Sequence, residues 1–226
     1  MYIPKQFEHT DEQGLWDLID AYSFGSLVTV AEGGPFVSHL PFMTEREAGL
    51  LHCHVARANP QWQQLMSAPQ TLVIFAGPHG YVSPTWYAEE GGVPTWNYAV
   101  VHAHGTAAIV DDLQHARRHV EALAAKHERG RAKPWVPRYD ERKLAGIVGI
   151  EIRIDKLEGK FKLGQNRSAA DRAGVIAALA ATGRDEDAAL ARLMEREEKT
   201  DAQQLGACRQ TCDDACKGEK GTDPQK

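Results

Sequence analysis

Apolar positions along the chain change period several times, and each change marks an element. Leu15, Trp16, Leu18 and Ile19 have the spacing of one helical face, and the acidic, cap-rich HTDEQ precedes them; a helix ending near Gly25 is predicted. The runs SLVTVA, PFVSHLPFMT and LLHCHV follow, separated by GG and by the polar EREAG. Rich in β-branched and aromatic residues, they predict a meander of antiparallel strands. RANPQWQQLMSAP interrupts it with a short helix, Asn59 as N-cap, Pro60 at the first helical position, and Trp62, Leu65 and Met66 on one face. TLVIFAG returns to strand, and the turn-rich SPTWYAEEGGVPT reads as a surface loop.

In the long strand pattern WNYAVVHAHGTAAIV, period two puts Trp96, Tyr98, Val100, His102 and His104 on one face. Asp111 or Asp112 then caps a helix carrying Leu113, Val120 and Leu123, and the proline-containing RAKPWVPRYD closes that section. GIVGIEIRID is a half-buried strand. Ser168 and Asp171 resemble a capping box for a helix through Leu179, Gly183 suits the residue after its end, and a second helix carries Leu190, Leu193 and Met194. The pattern is mainly β with peripheral helices, an α+β class with a C-terminal helical hairpin. Residues 1–200 read as one domain, and 201–226 as a polar, Cys-containing tail expected to be disordered.

Composition narrows the function. The chain has 226 residues, 42% of them hydrophobic, a formal charge of −5 and a pI near 6.1, so no overall attraction draws it to nucleic acid or anionic lipid. No apolar run approaches a membrane span and no signal-like N-terminus is present, so a cytoplasmic protein is expected. Cys53, Cys208, Cys212 and Cys216 form no secreted disulfide framework, and reduced thiols are expected. The two C-terminal helices could form a helix-turn-helix, but Glu195, Glu197 and Glu198 on the second would repel phosphates.

Two His-x-His pairs, His52 with His54 and His102 with His104, place imidazoles on one side of a strand. Neither pair has a carboxylate a few residues on, so hydrogen-bonded histidines are favoured over a metal site, and no metal is assigned. Cys53 shows no sign of activation, no nucleophile elbow exists, and no catalytic residue is assigned. The stretch VARANPQW is more specific: a helix start preceded by Arg57 offers free N–H groups and a guanidinium to a phosphate. GKFKLGQNR is a second basic cluster, with Lys160, Lys162 and Arg167.

The strings SFGSLVT, SHLPF, LHCHVARANPQW, YVSPTWY with VPTWNYAVVHAHG, and KLGQNRSAADRAGVI occur in this order. They closely resemble the PaiB family of FMN-binding negative transcriptional regulators, over nearly the whole chain to about Leu179. The resemblance implies an FMN-binding split β-barrel, related to pyridoxamine-phosphate oxidases, working as a homodimer with flavin at the subunit interface. It places Ser38, His39, Leu40 and Pro41 along the ring and ribityl, and His54, Arg57 and Asn59 near the phosphate. Trp96, with Tyr98 and the histidines, makes an amphipathic wall suited to a flavin pocket or the dimer contact beside it, and Lys162, Gln165 and Asn166 match a recurrent polar string of the family. The loop Ala56-Arg57-Ala58-Asn59 lacks the lysine of the Ser-Arg-Lys string common in split-barrel oxidases, so the helix end and Lys162 would have to compensate. Two functions follow: a flavin-bound regulator acting through DNA or a partner protein, and alternatively a flavin-dependent oxidoreductase acting on a small molecule.

Overall fold

The computed structural model describes residues 1–31 and 33–198. The elements run β1 (Glu8–His9), α1 (Glu12–Ala21), β2 (Phe24–Ala31), β3 (Gly34–Pro41), β4 (Met43–Glu45) and β5 (Leu50–Ala56). They continue with α2 (Gln61–Ser67), β6 (Gln70–Val82), β7 (Thr95–Val110), α3 (Leu113–Glu128), α4 (Glu141–Ala145), β8 (Ile147–Lys162) and α5 (Ala169–Ala181). A last described helix, α6, covers residues 185–198. The cysteine-bearing tail lies outside the described residues, and no helix among them is long and apolar enough to cross a membrane.

Among the described residues the strands form one antiparallel-rich sheet in the order β3-β2-β6-β7-β8-β5-β4, with β1 on β8. It is not the simple meander the strand runs predicted. β2 and β3 form a hairpin and β4 and β5 another, but β2 takes β6 as its second neighbour and β5 takes β8. PFVSHLPFMT, which reads as one strand, is broken at Phe42. That residue is fully buried, its ring edge-on to Phe75 at 5.3 Å, and its N–H donates to Ser23 O. A side chain driven into the core ends one strand and starts the next. β3 returns against β5, and Asn59 Nδ2 donates to Ser38 Oγ at 2.9 Å, so the sheet curls as in split-barrel folds.

The caps follow the sequence with small shifts. Asp11 accepts from Gly14 N and starts α1, whose Leu15, Trp16, Leu18 and Ile19 are all buried; the helix stops at Ala21. Asn59 Oδ1 accepts from Gln61 N, so it caps α2 as expected although the helix begins one residue later. Asp112, not Asp111, caps α3 by accepting from His115 N. Ser168 caps α5, but Asp171 does not complete a capping box: its buried carboxylate accepts from Ala88 and Glu89 N–H and fastens the loop after β6.

Contacts divide the chain into two compact units. One comprises Met1–Gly77 and Ala99–Phe161 and packs around Ile19, Leu27, Phe42, Leu51, Phe75, Val101, Ile150 and Phe161. Fully buried Gln61 crosses this core region, donating Nε2 to Leu27 O, Thr29 Oγ1 and Phe36 O. The other comprises Pro78–Tyr98 with residues from Lys162 onward, and its core is Val82, Leu163, Val175, Leu179, Leu190 and Met194. In it α5 and α6 form the expected helical hairpin, turned at Gly183 (φ 74°), with apolar faces buried and Arg172 paired to Glu198 at 2.6 Å.

Candidate functional site

Three regions gather side chains with chemistry. The first is the outward face of the β2–β3 hairpin. Register pairs Phe24 with Pro41, Ser26 with His39, Val28 with Val37 and Val30 with Pro35, and cross-strand partners share a face. Leu72 and Ile74 on β6 continue it beside Val28 and Ser26. Phe24 and Val30 are about two-thirds exposed, at 68% and 67%. On this apolar surface the polar atoms are few, His39 Nδ1 lying 2.9 Å from Ser26 Oγ; Ser38, opposite Leu27, turns to the inner face, where Asn59 holds it. Pro41, opposite Phe24, continues the outward face and Leu40, opposite Gly25, the inner one; both are half-buried. A flat ring system with polar edges fits such a surface, since ligand sites are mostly apolar with a few placed polar groups.

Arg57 is engaged elsewhere in the same unit. Its Nε donates to Ala145 O, both terminal nitrogens bond Asp111, and Nη2 also reaches Ile147 O, so the guanidinium ties the ends of β5 and β7 to the start of β8. Arg57 holds the Asp111 carboxyl below the usual carboxylate range. The helix it precedes, α2, has seven residues and one of its leading N–H groups is taken by Asn59.

The second region is a histidine cluster under α3. Antiparallel pairing sets His52 opposite Glu151 and His54 opposite Gly149, and α3 brings His115 and His119, one helical turn apart, over that face. His119 Nε2 stands 3.0 Å from His54 Nδ1. His52 Nε2 lies 3.2 Å from Glu45 Oε2, and the Nδ1 atoms of His52 and His115 each lie 3.7 Å from Glu151 Oε1. A Cβ at Gly149 would come within 3.1 Å of the His115 ring and 3.0 Å of Val110 O, so a side chain there would press the ring out of place by a few tenths of an ångström. Burial lowers the His54 pKa, and burial with the neighbouring His54, His115 and His52 takes that of His119 down to about 4. The carboxylate missing from the sequence surroundings of His52 and His54 thus arrives from β8. His102 and His104 similarly meet Glu158, but that carboxylate already accepts from His104, Lys156 and the Met1 amine.

The third region lies within the second unit. Lys162, Asn166, Arg167 and Arg172 line a cleft floored by Val82, Val175 and Met194. Lys162 Nζ donates to Thr95 Oγ1 and Trp96 O, Arg167 stacks over Tyr87 at 4.3 Å, and Gln165 Oε1 accepts from Leu163 N. The cleft volume is about 130 Å³, against roughly 300–1,000 Å³ for drug-sized ligands, so it can take a small anion or one group of a larger molecule. Trp96 is 54% exposed, with His79 and Tyr81 beside it. Of the residues singled out from sequence, Ser38 and Asn59 therefore meet on the inner face of β3, His39 and Pro41 lie on its outward face, and Trp96, Lys162 and Asn166 gather in the second unit. Arg57 and His54 take partners, Asp111 and His119, that no local pattern announces.

Comparison with known proteins gives the same assignment. Residues 1–156 match the family described as "Putative FMN-binding domain". The protease synthase and sporulation protein PAI 2 of Bacillus subtilis is 37% identical over 183 residues, covering 78% of this chain and 87% of its own. Among solved structures, the FAD and heme binding protein from Mycobacterium smegmatis aligns with a TM-score of 0.59 at 19% identity, over 74% of this chain and 78% of that one. The flavocytochrome Anf3 from Azotobacter vinelandii aligns with the same TM-score at 15% identity, over 76% and 78%. These two likenesses show the fold.

Proposed function

Because this chain belongs to the PaiB-type family described as "Putative FMN-binding domain", we propose that it is a homodimeric FMN-binding regulator whose flavin lies along the outward face of β2 and β3. FMN is its cofactor. The family match over residues 1–156 carries this reading, and it takes in the whole of that face. FMN brings a flat redox-active ring and a dianionic phosphate. His39 and Pro41 would line the ring and ribityl with their side chains, and Ser38 and Leu40, whose side chains turn inward, with their backbone; the Ser26–His39 pair offers a donor and an acceptor, and Asn59 fixes the Ser38 hydroxyl on the inner face. A second subunit covering the exposed Phe24, Val30 and Val37 would keep water from the ring. His54, Trp96, Lys162, Gln165 and Asn166 remain the further cofactor-binding candidates, and Arg57, closed on Asp111, is the least available of those named from the sequence.

The regulatory part of the proposal rests on kinship with PAI 2. With a charge of −5 and an acidic α6, direct DNA binding is expected to be weak, so action through a partner protein is favoured. The oxidoreductase reading gains no support from the comparisons. A cytoplasmic setting suits the free, buried Cys53. The test is flavin analysis of the purified protein, followed by titration of the apoprotein with FMN and riboflavin. One FMN per chain, with FMN bound more tightly than riboflavin, is the expected result; an apoprotein that quenches neither flavin would overturn the reading.

A further inference from the structure

The histidine cluster under α3 is chemically complete in a way flavin binding does not use. His52, His115 and Glu151 each offer one ligand atom, and all three atoms lie within 4.8 Å of one another. Both Nδ1···Oε1 separations, 3.7 Å, are too long for hydrogen bonds. They are close to the spacing of about 3.4 Å expected between ligands held roughly 2.1 Å from one tetrahedral ion. The polarity points the same way. With Glu45 at its Nε2 and Glu151 facing its Nδ1, the His52 ring stands between two carboxylates, a negative surrounding that favours a bound cation. Glu45 then occupies the outer position that orients metal-bound histidines. The polar atom facing His115 Nδ1 is Glu151 Oε1, while its Nε2 is buried without a hydrogen-bond partner on the Gly149 side. Three elements distant in sequence, β5, α3 and β8, supply the set, and Gly149 makes room for it.

We propose that His52, His115 and Glu151 bind a divalent first-row transition cation, Zn²⁺ or a neighbour of it, with Glu45 as the orienting partner of His52. Two imidazoles and one carboxylate suit borderline cations; Ca²⁺ and Mg²⁺ require oxygen ligands. Three protein ligands leave a coordination position open, as in sites that take water or a ligand group. The site is independent of the flavin assignment and stands or falls separately from it.

The experiment is calorimetric titration of the EDTA-dialysed, full-length protein with Co²⁺ alone and then Zn²⁺ alone, with flavin content recorded for each sample. One ion per chain is expected. Glu45→Gln should weaken binding about 10- to 100-fold, the usual cost of an outer partner, and Glu151→Gln and His115→Gln by more than that. His79→Gln, a change at an exposed histidine in the other unit, should leave affinity unaltered. Circular dichroism identifies any variant that fails to fold, and the conservative Glu151→Gln keeps the shape of the site. Absence of heat with both ions at micromolar protein, or affinity unchanged in folded Glu151→Gln, would overturn the proposal.

Discussion

Arg57 shows how one side chain can be suited to two tasks and be held to one by its neighbours. Its fork of donors matches a phosphate, yet here it closes on Asp111 and on the carbonyls of Ala145 and Ile147. An arginine so engaged joins three chain ends, and removing either partner of the pair should have the same consequence. Arg57→Ala and Asp111→Ala are therefore expected to lower the melting temperature by similar amounts, while FMN keeps its advantage over riboflavin. Loss of that advantage in Arg57→Ala alone would make this residue the phosphate ligand. Gln61 and Asn59 carry the same lesson. Both have side-chain amides that any loop or helix could expose, and both are turned inward to satisfy backbone and hydroxyl groups of β2 and β3.

At the level of elements, the pairing of β5 with β8 and the docking of α3 create an electrostatic environment that none of the three has alone. His119 is buried against His54 and stays neutral in the folded protein down to a pH of about 4, whereas in the unfolded chain it titrates near its ordinary value of 6.5. Its folded pKa is depressed, so above pH 6.5 both states are neutral and nothing changes. Between 6.5 and 4 only the unfolded chain takes up the proton, and stability falls with pH; below 4 the loss levels off. The shift corresponds to roughly 3 kcal/mol. Chemical denaturation in EDTA at steps from pH 7.5 to 4 should show this decline, and His119→Gln should flatten most of it. A wild-type stability that is constant over that window would refute the burial argument.

For the molecule as a whole, the outward face of β2, β3 and β6 is the most conspicuous surface of its unit. A monomer that left Phe24, Val28, Val30, Val37, Leu72 and Ile74 in water would carry a contiguous apolar patch of the kind that marks an interaction site. The proposed dimer covers it. A charge at its centre cannot be desolvated cheaply, so Val37→Lys is expected to give a monomer by light scattering and to reduce flavin content, with circular dichroism unchanged. A dimer that survives this change with its FMN intact would place the subunit contact on another face.

The chain by itself determined the elements and much of their chemistry. Period-two runs gave the strands, the cap-rich HTDEQ, Asn59, the pair Asp111–Asp112 and Ser168 gave the helix starts, and the long family strings gave the fold and the flavin, because caps, alternation and motif strings are all local in sequence. Strand alternation even placed His52 and His54 on one side. What no local pattern contained was register between distant strands. That Glu151 faces His52, that Gly149 opens space for His115, that Asp111 takes Arg57, and that Phe42 breaks a strand to enter the core were all decided by which strand lies beside which. A shift of one residue in the β5–β8 pairing would send Glu151 to the opposite face and dissolve the cluster, since side chains alternate along a strand. The tertiary structure alone sets that register, through the packing of the core residues Leu51, Cys53, Val55, Ile150 and Ile152 on the other side of the same two strands.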